Sequence, residues 1–367
     1  MPGLAAEPTA NETLVWIGPS PFVQTEHTPE SFSRKLRDDF IPVLCNPDGW
    51  PTVVRKTNVF KSYLMLLPKG PLPGKDTPEL TDDALERLLT FIKNNDLEVA
   101  FETGGLRIHK KLRGREDQAG ESQAKSELRH LRRWLDAGGS IDYLTTDHAV
   151  MMNLRGLGFP GPGLDPNRSS KLTVEELTDE LVDYFAVMKR EIPGVRFGVI
   201  ESLGYFHVRG IDGRHYKATD PKLPRCDFEQ FFDRLLDRMA KQNLKLDHFH
   251  IDFAYEGVAF DGRADNRLDF GRILAVEQHV QSRGVKVGVI FNAFHDRHDK
   301  TLSPETASRQ ARQRTLAFAD GYRKAGGTAD HLVIQTWHPY PDRTGPENDS
   351  LTVLGVAKDV LISLGEE

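Results

Sequence analysis

Cysteine is almost absent from this chain, whose 367 residues include only Cys45 and Cys226. Two cysteines exclude a disulfide framework and any four-cysteine metal site. Long apolar runs are absent as well, because no segment approaches the about 20 apolar residues that a membrane helix requires. We therefore expect no membrane partner.

Targeting signals and an excess of basic charge are also lacking. The N-terminus, MPGLAAEPTANET, has neither the positively charged start nor the apolar core of a secretory signal. As written, the sequence predicts a cytoplasmic protein, or a secreted one if a leader has been removed. Its 54 acidic and 48 basic side chains are spread along the chain and leave a formal net charge of -6. Without a basic stripe, no nucleic-acid partner is expected.

Eight short apolar runs alternate with stretches of helical spacing along the chain. This alternation predicts parallel strands joined by helical crossovers, and eight such units predict closure into a (β/α)₈ barrel. We expect one barrel domain over residues 13–367, with an N-terminal extension over residues 1–12. The predicted strands are Leu14–Ile17, Val59–Leu67, Glu98–Glu102, Ile141–Asp147, Arg196–Glu201, His248–Asp252, Lys286–Asn292 and Leu332–Trp337.

The connections between these runs differ in length at their two ends. Segments that follow the strands are long and rich in Gly, Pro, Asn and Asp, whereas the returns that precede the strands are short. Barrel enzymes have this asymmetry, because the loops at the C-terminal face build the active site. The main alternative is an open doubly wound sheet, but Gly18-Pro19-Ser20-Pro21 lacks the glycine fingerprint that usually follows its first strand.

Helix starts and internal echoes provide local signals. Thr28-Pro29-Glu30 and Thr77-Pro78-Glu79 each offer a cap residue followed by proline, which predicts two helix N-termini. The segment Gly194-Val-Arg-Phe-Gly-Val-Ile is nearly repeated from Gly284, and Ala137-Gly-Gly-Ser is nearly repeated from Ala325. Each glycine pair of the second echo stands where a helix must stop before a strand.

Four successive predicted strands end in an acid: Glu102, Asp147, Glu201 and Asp252. Alternation along a strand turns Glu102 and Asp252 into the barrel, together with His248 and His250. Carboxylates crowded at one mouth acquire different pKa values, which provides both an acid and a base. We therefore expect a catalytic group made of these four residues.

Each of these residues also has a structural interpretation. Asp147 fits the cap of the following helix, and Glu102 fits an ion-pair partner for Lys61 inside the second strand. His248 and His250 fit hydrogen-bonded interior histidines, and Trp337 fits a packing residue. The position of four acids at the end of the barrel where such folds do chemistry favours function.

Paired carboxylates, together with an aromatic side chain that can support the apolar face of a sugar, indicate the cleavage of glycosidic bonds in an oligo- or polysaccharide. In this hypothesis Asp147 is the nucleophile or base and Glu201 the general acid, with Asp252 and Glu102 as the next candidates. Replacing Glu201 by Gln is then expected to remove nearly all turnover. The candidate substrate-binding residues are Lys61, Tyr205, His250, Glu256, Asn292, Trp337, His338 and Tyr340.

The segment Gln335-Thr-Trp-His-Pro-Tyr-Pro341, which closes the eighth predicted strand, resembles the barrel glycoside hydrolases and a set of poorly characterised bacterial barrels. The resemblance spans roughly residues 98–347 and implies a carbohydrate-active barrel. It departs from the large retaining clan, which has Glu after strands four and seven where this sequence has Asp147 and Asn292. Other barrel glycosidases place an Asp after strand four, which fits Asp147 better.

Three other functional hypotheses stay open. A sugar isomerase or epimerase would hold a divalent metal with side chains on successive strands, whereas the hydrolase needs no cofactor. The plausible ligands are Glu102, Asp147, His148, Glu201, His250 and Asp252. Schiff-base chemistry would require Lys61 with a depressed pKa. A carbohydrate-binding barrel without catalysis would keep Trp337 and Tyr205 but would not need paired acids. Nothing in the sequence indicates an oligomeric state.

Overall fold

A computed structural model describes residues 13–27, 32–67, 80–106, 118–149, 172–218, 226–263, 267–294, 301–336 and 338–366. The predicted N-terminal extension, residues 1–12, lies outside the described residues, and so does Trp337. Within the described ranges, no helix is both long enough and apolar enough to cross a membrane.

Eight parallel strands close into a barrel in chain order, so the predicted (β/α)₈ fold is confirmed. The second strand is shorter than its predicted run, because the chain turns into a 3₁₀ helix over Leu64–Leu66. We number the barrel strands β1 (Leu14–Pro19), β2 (Val59–Tyr63), β3 (Glu98–Thr103), β4 (Tyr143–Asp147), β5 (Arg196–Glu201), β6 (Leu246–Ile251), β7 (Lys286–Phe291) and β8 (His331–Thr336).

Helices surround the barrel and bury their apolar faces against the outer side of the strands. On the third helix these buried residues are Leu85, Leu88, Phe91 and Ile92, which recur at helical spacing. The helices are α1 (Phe40–Leu44), α2 (Pro51–Lys56), α3 (Asp82–Asn94), α4 (Ala119–Asp136), α5 (Val174–Glu191), α6 (Phe228–Lys241), α7 (Tyr255–Asp261), α8 (Gly271–Ser282), α9 (Pro304–Lys324) and α10 (Val353–Leu364).

Both Thr-Pro-Glu segments lie outside the described residues, but the described residues that follow them contradict the two predicted helix starts. After Thr28-Pro29 the chain forms the strand Phe32–Leu36, which pairs antiparallel with Phe22–His27. Its backbone groups bond to that neighbouring strand, so no helix forms there. Helix α3 begins at Asp82 rather than after Thr77, because the hydroxyl of Thr81 accepts a hydrogen bond from the Ala84 amide at 3.2 Å.

The first sequence echo has a structural cause in the barrel interior. A Cβ on Gly198 of β5 would lie 1.9 Å from Nε2 of His248, and a Cβ on Gly288 of β7 would lie 2.5 Å from Cδ2 of His250. Each glycine therefore makes room for a histidine ring of β6. The other repeated pair, Gly194 and Gly284, has positive φ in the turns before β5 and β7.

The glycines of the second echo make room for a large aromatic ring at the end of a helix. A Cβ on Gly139 would lie 2.2 Å from the Trp134 indole, and one on Gly327 would lie 2.0 Å from the Tyr322 ring. The indole donates to the Ser140 carbonyl at 2.7 Å, and the Tyr322 hydroxyl accepts from the Ala329 amide at 2.9 Å. These rings cover the short returns into β4 and β8.

The centre of the barrel contains three buried histidines packed around Trp16. The ring centroid of Trp16 is 4.7 Å from that of His250 and 4.9 Å from that of His331. His248 bonds to the Thr145 hydroxyl at 2.9 Å, and His250 bonds to His331 at 3.0 Å. Burial lowers the pKa of all three imidazoles, to about 3 for His331, so they are neutral in the folded protein at pH 7.

These histidines predict that the protein loses stability in mild acid. An imidazole whose pKa is lowered by folding takes up its proton first in the unfolded chain, so its contribution is intact above the unfolded pKa of about 6.5 and is lost below it. Replacing His331 by Asn removes one such group but retains a hydrogen-bonding partner for His250. Between pH 7.5 and 5.5, urea unfolding should show a loss of stability about 1.4 kcal/mol smaller in His331→Asn than in the parent. Equal losses in the two proteins would contradict the expected titration.

Candidate active site

The C-terminal ends of the strands bring three of the four predicted acids onto the inward face. Glu102 continues the inward positions of β3 after Ala100, and Asp147 continues those of β4 after Tyr143. Asp252 directly follows β6, two residues after the interior His250. Glu102 pairs in register with Thr145, so the Cα atoms of Glu102 and Asp147 are about 8 Å apart, given strands about 4.8 Å apart with a rise of about 3.3 Å per residue.

One half of the mouth is organised around Lys61 of β2. Its ammonium forms an ion pair with the Glu102 carboxylate at 2.6 Å and donates a hydrogen bond to the Gln335 side chain of β8. Lys61 is completely buried and Glu102 is nearly so. A buried charge needs such partners, because its desolvation costs several kcal/mol.

The other half is organised around His148, the first residue after β4. Its Nδ1 lies 2.7 Å from Oδ1 of Asp147, and its Nε2 lies 3.5 Å from Oδ2 of Asp252. The side chain of Asn292, which follows β7, donates a hydrogen bond to Asp252. Four polar groups from three strand ends thus form one connected series.

Together the two halves form a polar ring around the mouth, which we call the mouth ring. Its acidic members keep different exposures: the side chains of Asp252 and Asp147 are 24% and 18% exposed, and that of Glu102 only 5%. Asp252 is therefore the carboxylate most open to a substrate. The members are Lys61, Glu102, Asp147, His148, Asp252, Asn292 and Gln335.

Charges within the mouth ring influence one another. Burial raises the pKa of Glu102 to about 7, and the charges of Asp147 and Asp252 add to this effect against the opposing charge of Lys61. Burial also raises the pKa of Asp252, although the charge of His148 opposes it. Burial alone would lower the pKa of His148, but the carboxylates of Asp147, Asp252 and Glu201 outweigh it and raise that pKa well above its usual value.

Glu201 follows the outward positions of β5, whereas the other three acids follow inward positions of their strands. Ile200 belongs to the apolar interior of the barrel, whereas Phe197 and Val199 pack in the helix layer. Alternation directs Glu201 to the side of Val199. Its side chain is completely buried, and after burial itself its charge contributes most to raising the pKa of the Cys226 thiol to about 12.

His250 and Lys61, predicted to bind substrate, lie deeper than that role requires. His250 is completely buried and bonds to His331, the first residue of β8, at the opposite end of the barrel from the mouth. This arrangement matches the interior-histidine interpretation. Lys61 has no exposed surface and is engaged by its partners in the mouth ring.

The remaining predicted binding residues stand around the mouth. Tyr205 lies in a 3₁₀ turn after β5 with its ring edge-on to His148, and Glu256 of α7 accepts hydrogen bonds from the Phe294 amide and from Arg314. The His338 ring is buried against Phe294, and Tyr340 precedes a cis proline. Trp337, the predicted aromatic platform, lies outside the described residues.

No protein-family model matches the chain, and no curated protein matches it. Solved structures do resemble it. A glucosidase from Croceicoccus marinus is 13% identical over 96% of this chain and 67% of that chain, with a TM-score of 0.49. A GH53 catalytic domain from Ignisphaera aggregans is 12% identical over 96% of this chain and 91% of that chain, with a TM-score of 0.43.

The similar structures are not restricted to glycosidases. A malate synthase from Haloferax volcanii is 10% identical over 96% of this chain and 73% of that chain, with a TM-score of 0.42. Proteins of different chemistry thus share this degree of likeness.

Sequence reasoning undervalued one residue of the site and missed another. His148 is central to the mouth ring, although the sequence suggested it only as a ligand of the divalent metal in the isomerase alternative. Arg37 is buried and ties the loop after β1 to the loop after β8, donating to the carbonyls of Ser20 and Pro341 at 2.9 and 2.6 Å. It thereby anchors Pro341 in the loop after β8.

Metal binding was the chemistry of the main alternative function. In the part of the chain that the structure describes, no three His, Cys, Asp or Glu side chains are arranged to hold one metal ion.

Proposed function

We propose that this chain is a glycoside hydrolase acting on an oligo- or polysaccharide at the mouth ring. The supporting observation is that one mouth holds three carboxyl groups of different exposure, those of Glu102, Asp147 and Asp252. The pKa of Glu102 is raised to about 7, so it carries a proton on a large fraction of molecules near neutral pH. An acid and a carboxylate base at one site are what glycosidic cleavage requires.

The roles follow from exposure and partners. Asp252 is the most exposed carboxylate of the mouth ring and acts as the nucleophile or the base that activates water. Glu102 protonates the departing oxygen, and the ion pair with Lys61 at 2.6 Å holds its carboxyl group in place. Asp147 forms an ion pair with His148 at 2.7 Å, so it holds the imidazole in place rather than attacking the sugar. Tyr205, Tyr340, His338 and Trp337 would contact the sugar rings and hydroxyl groups.

The first experiment is a release assay across polysaccharides and aryl glycosides, run with and without a chelator. We expect sugar release that the chelator does not change. Loss of activity on chelation would instead favour the metal-dependent isomerase, and binding without release would favour a carbohydrate-binding barrel.

Replacing Glu102 by Gln tests the acid role. We expect kcat on natural linkages to fall about 100-fold, because the leaving sugar oxygen needs a proton. Aryl glycosides with an acidic phenol should lose far less, since their leaving group departs without protonation. In the parent, activity that needs protonated Glu102 should decline as the pH rises above about 7. Equal losses on both substrate types would contradict the role, because a folding defect would reduce both alike.

A further inference from the structure

One residue of the mouth ring has a backbone conformation that nothing in its local sequence requires. His148 has a φ of +49°, in the left-handed region that costs most residues about 1–3 kcal/mol. The two other non-glycine residues with positive φ in the described ranges, Asp96 and Asn243, each stand two residues after the end of a helix, where left-handed residues are common. His148 instead ends a strand at the candidate active site.

The contacts of the ring explain what this conformation achieves. Asp147 fixes Nδ1 at 2.7 Å, which turns Nε2 toward Asp252 at 3.5 Å. Nε2 is buried and has no hydrogen-bonding partner within the described residues. Its interaction with Asp252 is therefore a charge–charge attraction. The charges that act on the imidazole from neighbouring elements are those of Asp147 on β4, Asp252 after β6 and Glu201 on β5, and Tyr205 in the loop after β5 lies edge-on to it.

We propose that His148 is a positioning residue of this site, whose imidazolium is clamped between Asp147 and Asp252 so that the Asp252 carboxylate stays ionised and ready to react. Asp147 sets the ring orientation, as a carboxylate bonded to one imidazole nitrogen fixes the role of the other. This inference rests on the proposed function for the identity of the reacting carboxylate. The clamp itself is a property of the resting protein and can be measured without a substrate.

His148→Asn is the decisive variant, because Asn tolerates a positive φ better than most residues and carries no charge. Removing a positive charge at this distance should raise the pKa of Asp252 by about one unit. We would follow the Asp252 carboxyl carbon by NMR through a pH titration of the full chain, identifying its signal by its loss in Asp252→Asn. The matched control is His130→Asn, on α4 in a groove away from the mouth.

The same change should appear in the pH dependence of kcat, whose acidic limb should move upward by about one pH unit in His148→Asn and stay in place in His130→Asn. An unchanged Asp252 titration in His148→Asn would overturn the inference. If His148→Asn does not fold, His148→Gly keeps the left-handed backbone and the same titration decides. A shifted titration in a protein that hydrolyses no glycoside would overturn the proposed function and leave the clamp standing.

Discussion

Replacing Asp252 by Asn is expected to lower kcat about 10³-fold while the protein stays folded. Asparagine retains the shape of the side chain and its contact with Asn292 but can neither attack an anomeric carbon nor accept a proton from water. The loss should be similar for aryl glycosides and natural linkages, because both need the carboxylate. Initial rates on the best substrate of the release assay, with circular dichroism to confirm folding, provide the measurement.

Glu201→Gln separates the assignment from structure from the assignment from sequence, because the sequence alone gave the role of general acid to Glu201. Alternation along β5 directs that side chain toward the helix layer, so its amide should reduce turnover far less than Asp252→Asn does. Glu305→Gln, an exposed change of the same chemistry on α9, serves as the neutral control. A larger loss in Glu201→Gln than in Asp252→Asn would restore the assignment from sequence and contradict the one from structure.

The sequence predicted the barrel because each strand is a short apolar run bounded by turn residues. Alternation also located the inward Glu102, His248 and His250, since their apolar neighbours Phe101 and Phe249 mark the outer face. The same rule applied to β5 would have turned Glu201 outward. The outward direction of Glu201 was not evident from the sequence, because the inward residues of β5, Gly198 and Ile200, are apolar like the outward ones.

The features that sequence could not predict depend on contacts between distant strands. The place of His148 between Asp147 and Asp252 requires β4 and β6 to be brought to one mouth and a left-handed residue between them. Likewise, Thr28-Pro29 followed by Glu suits a helix start locally, but the chain after it pairs with Phe22–His27. Tertiary pairing overrode a sound local signal.

Among substitutions that add one methyl group to the barrel interior, Gly198→Ala is expected to be the most destabilising. Its Cβ would lie 1.9 Å from Nε2 of His248, well inside any allowed contact. The ring cannot retreat, because Trp16 and His250 pack against it with centroids at 5.1 and 4.6 Å and Thr145 holds the same nitrogen. Overpacking and the lost hydrogen bond should together cost about 3 kcal/mol in the free energy of unfolding.

A double-mutant cycle separates this clash from a general intolerance of β5. His248→Ala removes the ring that Gly198 accommodates, so adding Gly198→Ala to it should cost much less than adding Gly198→Ala to the parent. Gly49→Ala is the matched control, since its Cβ would meet only the Asn46 amide at 3.9 Å. Urea unfolding of the four proteins of the cycle and of the control gives the comparison. If Gly198→Ala costs the same with and without His248, the ring does not fill that space, and the repeated glycines of β5 and β7 need another cause.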